Sequence, residues 1–258
     1  MQTTLRYAPR GSVPLLELLH PRQHTRLLLV VLALGVVGAT VAVQLLGVKL
    51  WMAAAGALAA LVGAAALKWR EDWRRYGQAA MVLSALVALQ GFHTVEHVAQ
   101  WFQYHVLRWP TFVSSGLISA ADAEWVHFVW NWGFLLVCMY LVARGMRSWW
   151  AWLLLAWATA HTFEHSYMMW RYLRTVQELA ALGVSGVSAQ GLPGILGRDG
   201  WLATADATQG TFLCRLPGLT TAVRLDVHFW WNVGELALLL PAANAYMRRI
   251  LKTVTNHP

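Results

Sequence analysis

Charge is what this sequence has least of. Asp, Glu, Lys and Arg make up 12% of its 258 residues while hydrophobic types make up 58%, and a soluble domain carries roughly twice that share of charge. With a mean hydropathy of +0.46, the chain is too apolar for a soluble domain of this size and reads as a polytopic membrane protein. Cysteine is almost absent. Cys138 and Cys214 are the two, with no C-x-x-C, which excludes a disulfide framework and a thiolate metal site. Acidic residues are fewer than basic ones, giving a net charge of +8, but no basic tract is interleaved with aromatics. The excess therefore reports membrane topology, and nucleic acid is not an expected partner. The first 24 residues are too polar and Pro-broken for a secretory signal. Within them, Leu15–Leu19 reads as a short helix lying on the membrane surface.

What is present in quantity is long apolar runs. A bilayer needs about 20 apolar residues per helix, and six runs qualify, near 26–47, 50–67, 78–104, 124–143, 149–172 and 225–247. The fold class is an all-α integral membrane protein with the bilayer as its main partner. Arg6, Arg10, Arg22, Arg26, Lys68, Arg70, Arg74, Arg75, Arg144, Arg147, Arg248, Arg249 and Lys252 fall on one side of these spans. The short opposite loops hold Lys49 and Arg108, with acids such as Asp122 and Glu124. That asymmetry places both termini in the cytoplasm, in a bacterial cytoplasmic membrane. The chain divides into a cytoplasmic segment 1–25, a scaffold hairpin 26–67, a hairpin 78–143 and a hairpin 149–247, the last with an outer loop 173–224.

The last four spans contain a repeat. Shifting the chain by 68 places His93-Thr94-x-Glu96-His97 on His161-Thr162-x-Glu164-His165. The spans that follow each carry H-F-x-W-N-x-G, at His127 to Gly133 and at His228 to Gly234. Each unit is thus an outgoing helix followed by a returning one, and both units cross in the same sense.

Positions i, i+3 and i+4 share a helix face, so His93, Glu96 and His97 converge, as do His161, Glu164 and His165. At about 1.5 Å per residue, these residues, His127, Asn131, His228 and Asn232 fall at one level in the outer third of the membrane. A lone His in an apolar helix is most often a packing residue. A carboxylate in hydrocarbon is costly and marks a functional site by default, and a cation makes such a cluster tolerable. The expected ligands are His93, Glu96, His97, His127, His161, Glu164, His165 and His228, holding two metal ions. Glu96 and Glu164 would bridge or cap the ions, Asn131 and Asn232 would orient ligands or hold a water, and Trp130 and Trp231 would pack behind them. Tyr104 and Tyr172 fall on the same face. His105, which has no counterpart in the second unit, reads as interfacial, and His20, His24 and His257 as residues of polar termini.

The arrangement resembles the four-helix di-iron carboxylate bundles and the histidine-box membrane desaturases and alkane hydroxylases. It departs from the first in using H-x-x-E-H rather than E-x-x-H, and from the second in placing the cluster toward the outer face. H-x-x-E-H also occurs in inverzincin proteases, whose fold is soluble. Imidazole with carboxylate suits iron, zinc, copper or manganese, with iron or copper favoured and zinc a further option. The expected function is a metal-dependent membrane oxidoreductase of monooxygenase type, acting on a small apolar or lipid-soluble substrate with an electron-donor protein or other membrane subunits. A zinc-dependent membrane hydrolase and a haem-binding electron-transfer protein are the alternatives. A metal transporter is disfavoured by the apolar inner halves of the spans. The outer loop is expected to cap the site through Leu192–Leu196, Thr211–Cys214 or Trp201.

Overall fold

Hydrocarbon supplies no hydrogen bonds to a backbone, so an apolar run placed there folds as a helix. The computed structural model of the protein describes residues 13–119, 123–184 and 190–255, and among them there is helix and no strand. Arg6, Arg10, Asp122 and His257 lie outside these residues. Eight α-helices are described: α1 (Pro14–Leu19), α2 (Thr25–Leu46), α3 (Leu50–Tyr76), α4 (Gln78–His105), α5 (Glu124–Ala143), α6 (Trp149–Ala181), α7 (Trp201–Thr204) and α8 (Arg224–Thr255). Four helices are long and apolar enough to cross a membrane: α3, α4, α5, and α2 with its preceding turn. The helices α6 and α8, of 33 and 32 residues, take the places of the remaining two expected spans.

Helix starts agree with the apolar runs, but three helices outrun them. Beyond its apolar part α3 continues to Tyr76, where i,i+4 pairs such as Arg75 with Glu71 at 2.5 Å support it. Likewise α6 continues to Ala181 rather than stopping near 172, and an Arg174–Glu178 pair at 2.9 Å lies on that extension. The outer connection therefore begins at Leu182. At the other terminus α8 runs on to Thr255.

A four-helix bundle carries the site. In it α4 lies along α8, α8 along α6, and α6 along α5, while α4 and α5 approach only briefly. Outside the bundle α3 rests on α4, and α2 rests on α3. No residue of α2 is buried, and Leu29, Leu34, Val37 and Leu45 present a continuous apolar surface of the kind that lipid covers. One half of the bundle has an apolar core in which Leu83, Leu141, Leu154, Leu239 and Ala242 are completely buried. The histidines gather in the other half.

The short helix α1 packs one face against the bundle: Leu15 and Leu18 are buried in its core, while Leu16 is exposed. A buried polar network holds it there. The ammonium of Lys68 donates to the Leu18 carbonyl, the Asp72 carboxylate and Ser84 Oγ. Arg22 donates to Asp72 at 3.2 Å and to the Tyr76 hydroxyl at 2.7 Å, and Leu15 N donates to Asn244 Oδ1 of α8 at 3.2 Å. Six residues cannot form a stable helix alone, so these distant partners decide where α1 sits. His24 is also engaged, 3.3 Å from Glu71.

Removing one partner of a buried ion pair strands the other, at a cost of about 3–5 kcal/mol. Asp72→Leu strands the Lys68 ammonium and should therefore lower stability by roughly that amount in detergent unfolding. Adding Lys68→Met should recover most of the loss, because Arg22 keeps Glu17 as a partner and no uncompensated charge then remains buried.

Candidate metal centre

Four helices deliver six imidazoles to one level. The rings form an unbroken cluster: His93–His97 are 4.7 Å apart between centroids, His93–His127 5.5 Å, His127–His165 5.2 Å, His165–His228 4.9 Å and His161–His165 4.8 Å. Apart from His93, all are buried, His161 completely. Buried polar atoms are normally hydrogen-bonded, yet His93 Nε2, His97 Nε2, His165 Nδ1 and His228 Nε2 have no partner. Ligand atoms of His93, His97 and His127 lie within 4.8 Å of one another and could hold a metal ion. The other two triad members on the second hairpin are closer still, His165 Nε2 standing 3.1 Å from His161 Nε2. Two imidazole nitrogens at that distance share either a proton or a cation.

The two carboxylates of the motifs sit against loops. The backbone N–H of Ile118 donates to Glu96 Oε1 at 2.6 Å, and that of Leu196 donates to Glu164 at 3.2 and 3.3 Å. Both loops can come this close because glycine leads them in. A Cβ on Gly116 or Gly194 would collide with the Glu96 or Glu164 carboxylate, respectively, and Gly116 also has φ +77. The sequence carries a signal for this that the motif reading missed, namely Gly116-Leu117-Ile118 and Gly194-Ile195-Leu196 following the two H-T-x-E-H helices. Of the segments expected to cap the site, Leu192–Leu196 is the one that reaches it. Trp201 and Phe212 are instead turned outward, 42% and 74% exposed.

A third carboxylate, assigned no role by the sequence, is tied directly to an imidazole. Glu235 is fully buried, with Oε1 2.8 Å from His161 Nδ1 and Oε2 accepting from Gln90 Nε2 at 2.8 Å. Gln90 Oε1 in turn accepts from Trp130 Nε1 at 3.2 Å, so one chain of bonds crosses the bundle from α5 to α6. A carboxylate on Nδ1 leaves the opposite nitrogen of His161 to face the cluster, as in metal sites where a carboxylate sets the imidazole tautomer. Gln100 does the same for His97, 2.8 Å from its Nδ1.

Trp130 lies over His93 with centroids 5.0 Å apart, and Trp231 stacks on His161 at 5.1 Å and 7°. Asn131 and Asn232 each donate to the carbonyl one turn earlier, at His127 and His228. That leaves Asn131 Oδ1 unpartnered, while Asn232 Oδ1 accepts from Gln90. Tyr104 packs on His105 rather than on the cluster. His105 is bound within the fold, its Nε2 2.6 Å from Asp226 Oδ1. Above the cluster, Glu124 pairs with Arg224 at 2.5 Å and joins the starts of α5 and α8.

The chain matches no protein-family model, no curated protein and no solved structure.

The loop contacts give a direct test. Gly194→Ala should displace the Glu164 carboxylate from the Leu196 N–H and destabilise the protein by more than about 1 kcal/mol in detergent unfolding, the cost expected where the added Cβ has no room. Gly133→Ala, at a glycine with open space around it, should leave stability within about 0.5 kcal/mol.

Proposed function

We propose that the chain is an integral membrane metalloenzyme whose His- and Glu-rich centre holds two metal ions toward the outer face and oxidises a small apolar or lipid-soluble substrate. The observation that carries this reading is the set of unpartnered ring nitrogens, contributed by three of the four bundle helices, α4, α6 and α8, within an imidazole cluster that His127 of α5 completes. An orphaned buried acceptor costs about 1–3 kcal/mol. A fold that keeps four of them at one point is organised around something that they bind.

Two ions are favoured over one because the contacts recur in pairs. His93, His97 and His127 have counterparts in His161, His165 and His228. The Trp behind the first His, the Asn bonded to its own helix and the loop N–H on the Glu recur as well. This pairing supports an internal duplication of hairpins. It also supports six spans, since α6 and α8 lie along α5 and α4 and must cross with them. Centroid distances of 4.7–5.9 Å among neighbouring imidazoles leave no slot for a porphyrin, which favours ions over haem.

In this reading His93, His97, His127, His161, His165 and His228 hold the metal. Glu96 and Glu164 bridge or cap the ions from the loop side. Asn131 Oδ1 is placed to orient a water, and Glu235 fixes the tautomer of His161. Imidazole with carboxylate suits iron, copper or zinc; iron or copper would supply oxidative chemistry, and zinc would make the same centre hydrolytic. The apolar bundle below excludes water from the inner side.

Elemental analysis of detergent-purified protein should find about two equivalents of a transition metal per chain, without a Soret band. His97→Ala should lose at least half of it while remaining in the membrane. Metal-free wild-type protein, or full occupancy in His97→Ala, would overturn the reading. Topology has its own readout. A membrane-impermeant maleimide applied to intact cells should label Cys214 in the outer connection and leave the buried Cys138 unmodified. Labelling of Cys214 only after permeabilisation would place that connection on the inner side.

A further inference from the structure

A cavity of about 470 Å³ adjoins the centre. It is walled by Trp101 and His105 of α4, Trp157 of α6, and Asp226, Trp230 and Trp231 of α8. Leu196, Pro217 and Leu219 of the outer connection roof it. Its volume lies within the range of sites that enclose small organic ligands, about 300–1,000 Å³.

We infer that this cavity binds a lipid-soluble hydroxylated ring, of the phenol or quinol class, and presents it to the metal centre. The inference rests on the proposed function and names the substrate class of that same site. Four observations support it. The walls are four indoles, whose flat faces suit an aromatic ring by offset or edge contact. Trp230 is 63% exposed, so one of the lining indoles reaches the apolar outer surface of the bundle. Its polar groups are few and of both kinds. The Asp226 carboxylate, paired with His105 at 2.6 Å, is an acceptor for a ligand hydroxyl, and Trp231 Nε1 is a buried donor that has no partner. An oxygen-substituted ring satisfies both, whereas an alkane satisfies neither.

The cavity also touches the centre at two points. Trp231 lines the cavity and also stacks on His161, so one indole is shared by the cavity and the centre. Trp157 packs edge-on against that indole at 4.9 Å between centroids and is itself held by donating from Nε1 to the Trp231 carbonyl at 3.0 Å. A Cβ at Gly234 would strike the Trp157 ring, which is the physical reason for a glycine there. Leu196 forms part of the roof and binds Glu164 through its backbone N–H. A ligand that lifts the roof therefore pulls on a carboxylate of the centre.

The test is binding of 4-nonylphenol, with n-decanol as the aliphatic comparison, to detergent-purified full-length protein, after subtraction of partition into empty micelles. Saturable binding of the phenol is expected, with n-decanol at least tenfold weaker. Asp226→Asn and Trp101→Ala should each weaken the phenol at least fivefold. Ala222→Phe, which fills the cavity from its lining, should abolish saturable binding. Metal content should remain at the wild-type level in all three variants. Absence of saturable binding, equal affinity for decanol, or unchanged affinity in Ala222→Phe would overturn the inference. Binding is measured on metal-loaded and on chelator-treated protein. Loss of the metal reading would thus show as absent metal with phenol binding intact, and loss of this one as metal present without binding.

Discussion

Hydrocarbon forms no hydrogen bonds, and this constraint organises the whole molecule. Every polar group drawn into the bundle must find its partner within the chain. At the inner end the constraint is met by closure. Lys68, Asp72, Arg22, Ser84 and the Leu18 carbonyl satisfy one another, and in doing so they place α1 in the core. At the outer end it is met only in part. Loop N–H groups hydrogen-bond the Glu96 and Glu164 carboxylates, and Gln90, Glu235 and Gln100 take up individual groups around the rings. Four imidazole nitrogens are left over. The contrast between a closed network and an open one within the same chain is what distinguishes a structural cluster from a binding one.

Those features of the fold that depend on local pattern were legible in the sequence. Apolar runs marked the start of each long helix within a residue or two, and H-x-x-E-H placed three side chains on one face by periodicity alone. What escaped depends on partners far along the chain. Leu15 and Leu18 look like the apolar face of a surface helix until Lys68 and Asn244 are brought beside them. The N–H groups of Ile118 and Leu196 belong to the backbone and carry no residue signature. Only the glycines that permit their approach could have been seen, in G-L-I and G-I-L. Trp201 was a reasonable cap by hydrophobicity, but connectivity fixes only that the outer segment lies near the site, not which residue enters it.

Differences between the two hairpins carry as much information as the matches. At corresponding positions, Gln90 stands where the second unit has Ala158, and Phe134 where it has Glu235. These exchanges are complementary. The glutamine of the first unit bonds the glutamate of the second, and that pair bonds His161. Neither hairpin could complete the network if it were paired with an identical copy of itself. A symmetric dimer of hairpins would have two glutamines facing no acid, or two acids facing no amide, in a medium where an unsatisfied group is expensive.

A third exchange sits beside these. Leu89 of the first unit corresponds to Trp157 of the second, whose indole N–H fixes the Trp231 carbonyl and fills the space above Gly234. The result is that the carboxylate-bound imidazole and the longer connection fall on the second unit, which also supplies most of the lining of the aromatic cavity, with Trp101 and His105 of the first unit closing it. Each unit keeps two unpartnered ring nitrogens, His93 Nε2 and His97 Nε2 in the first, His165 Nδ1 and His228 Nε2 in the second. On the proposed reading the duplication has divided its labour. Both halves retain the imidazoles needed to hold ions, while substitutions around them have made one half better suited to meet a substrate. A duplicated membrane hairpin can diverge in this way because ligands and lining alternate around the helix. The lining then changes without moving the face that carries the ligands.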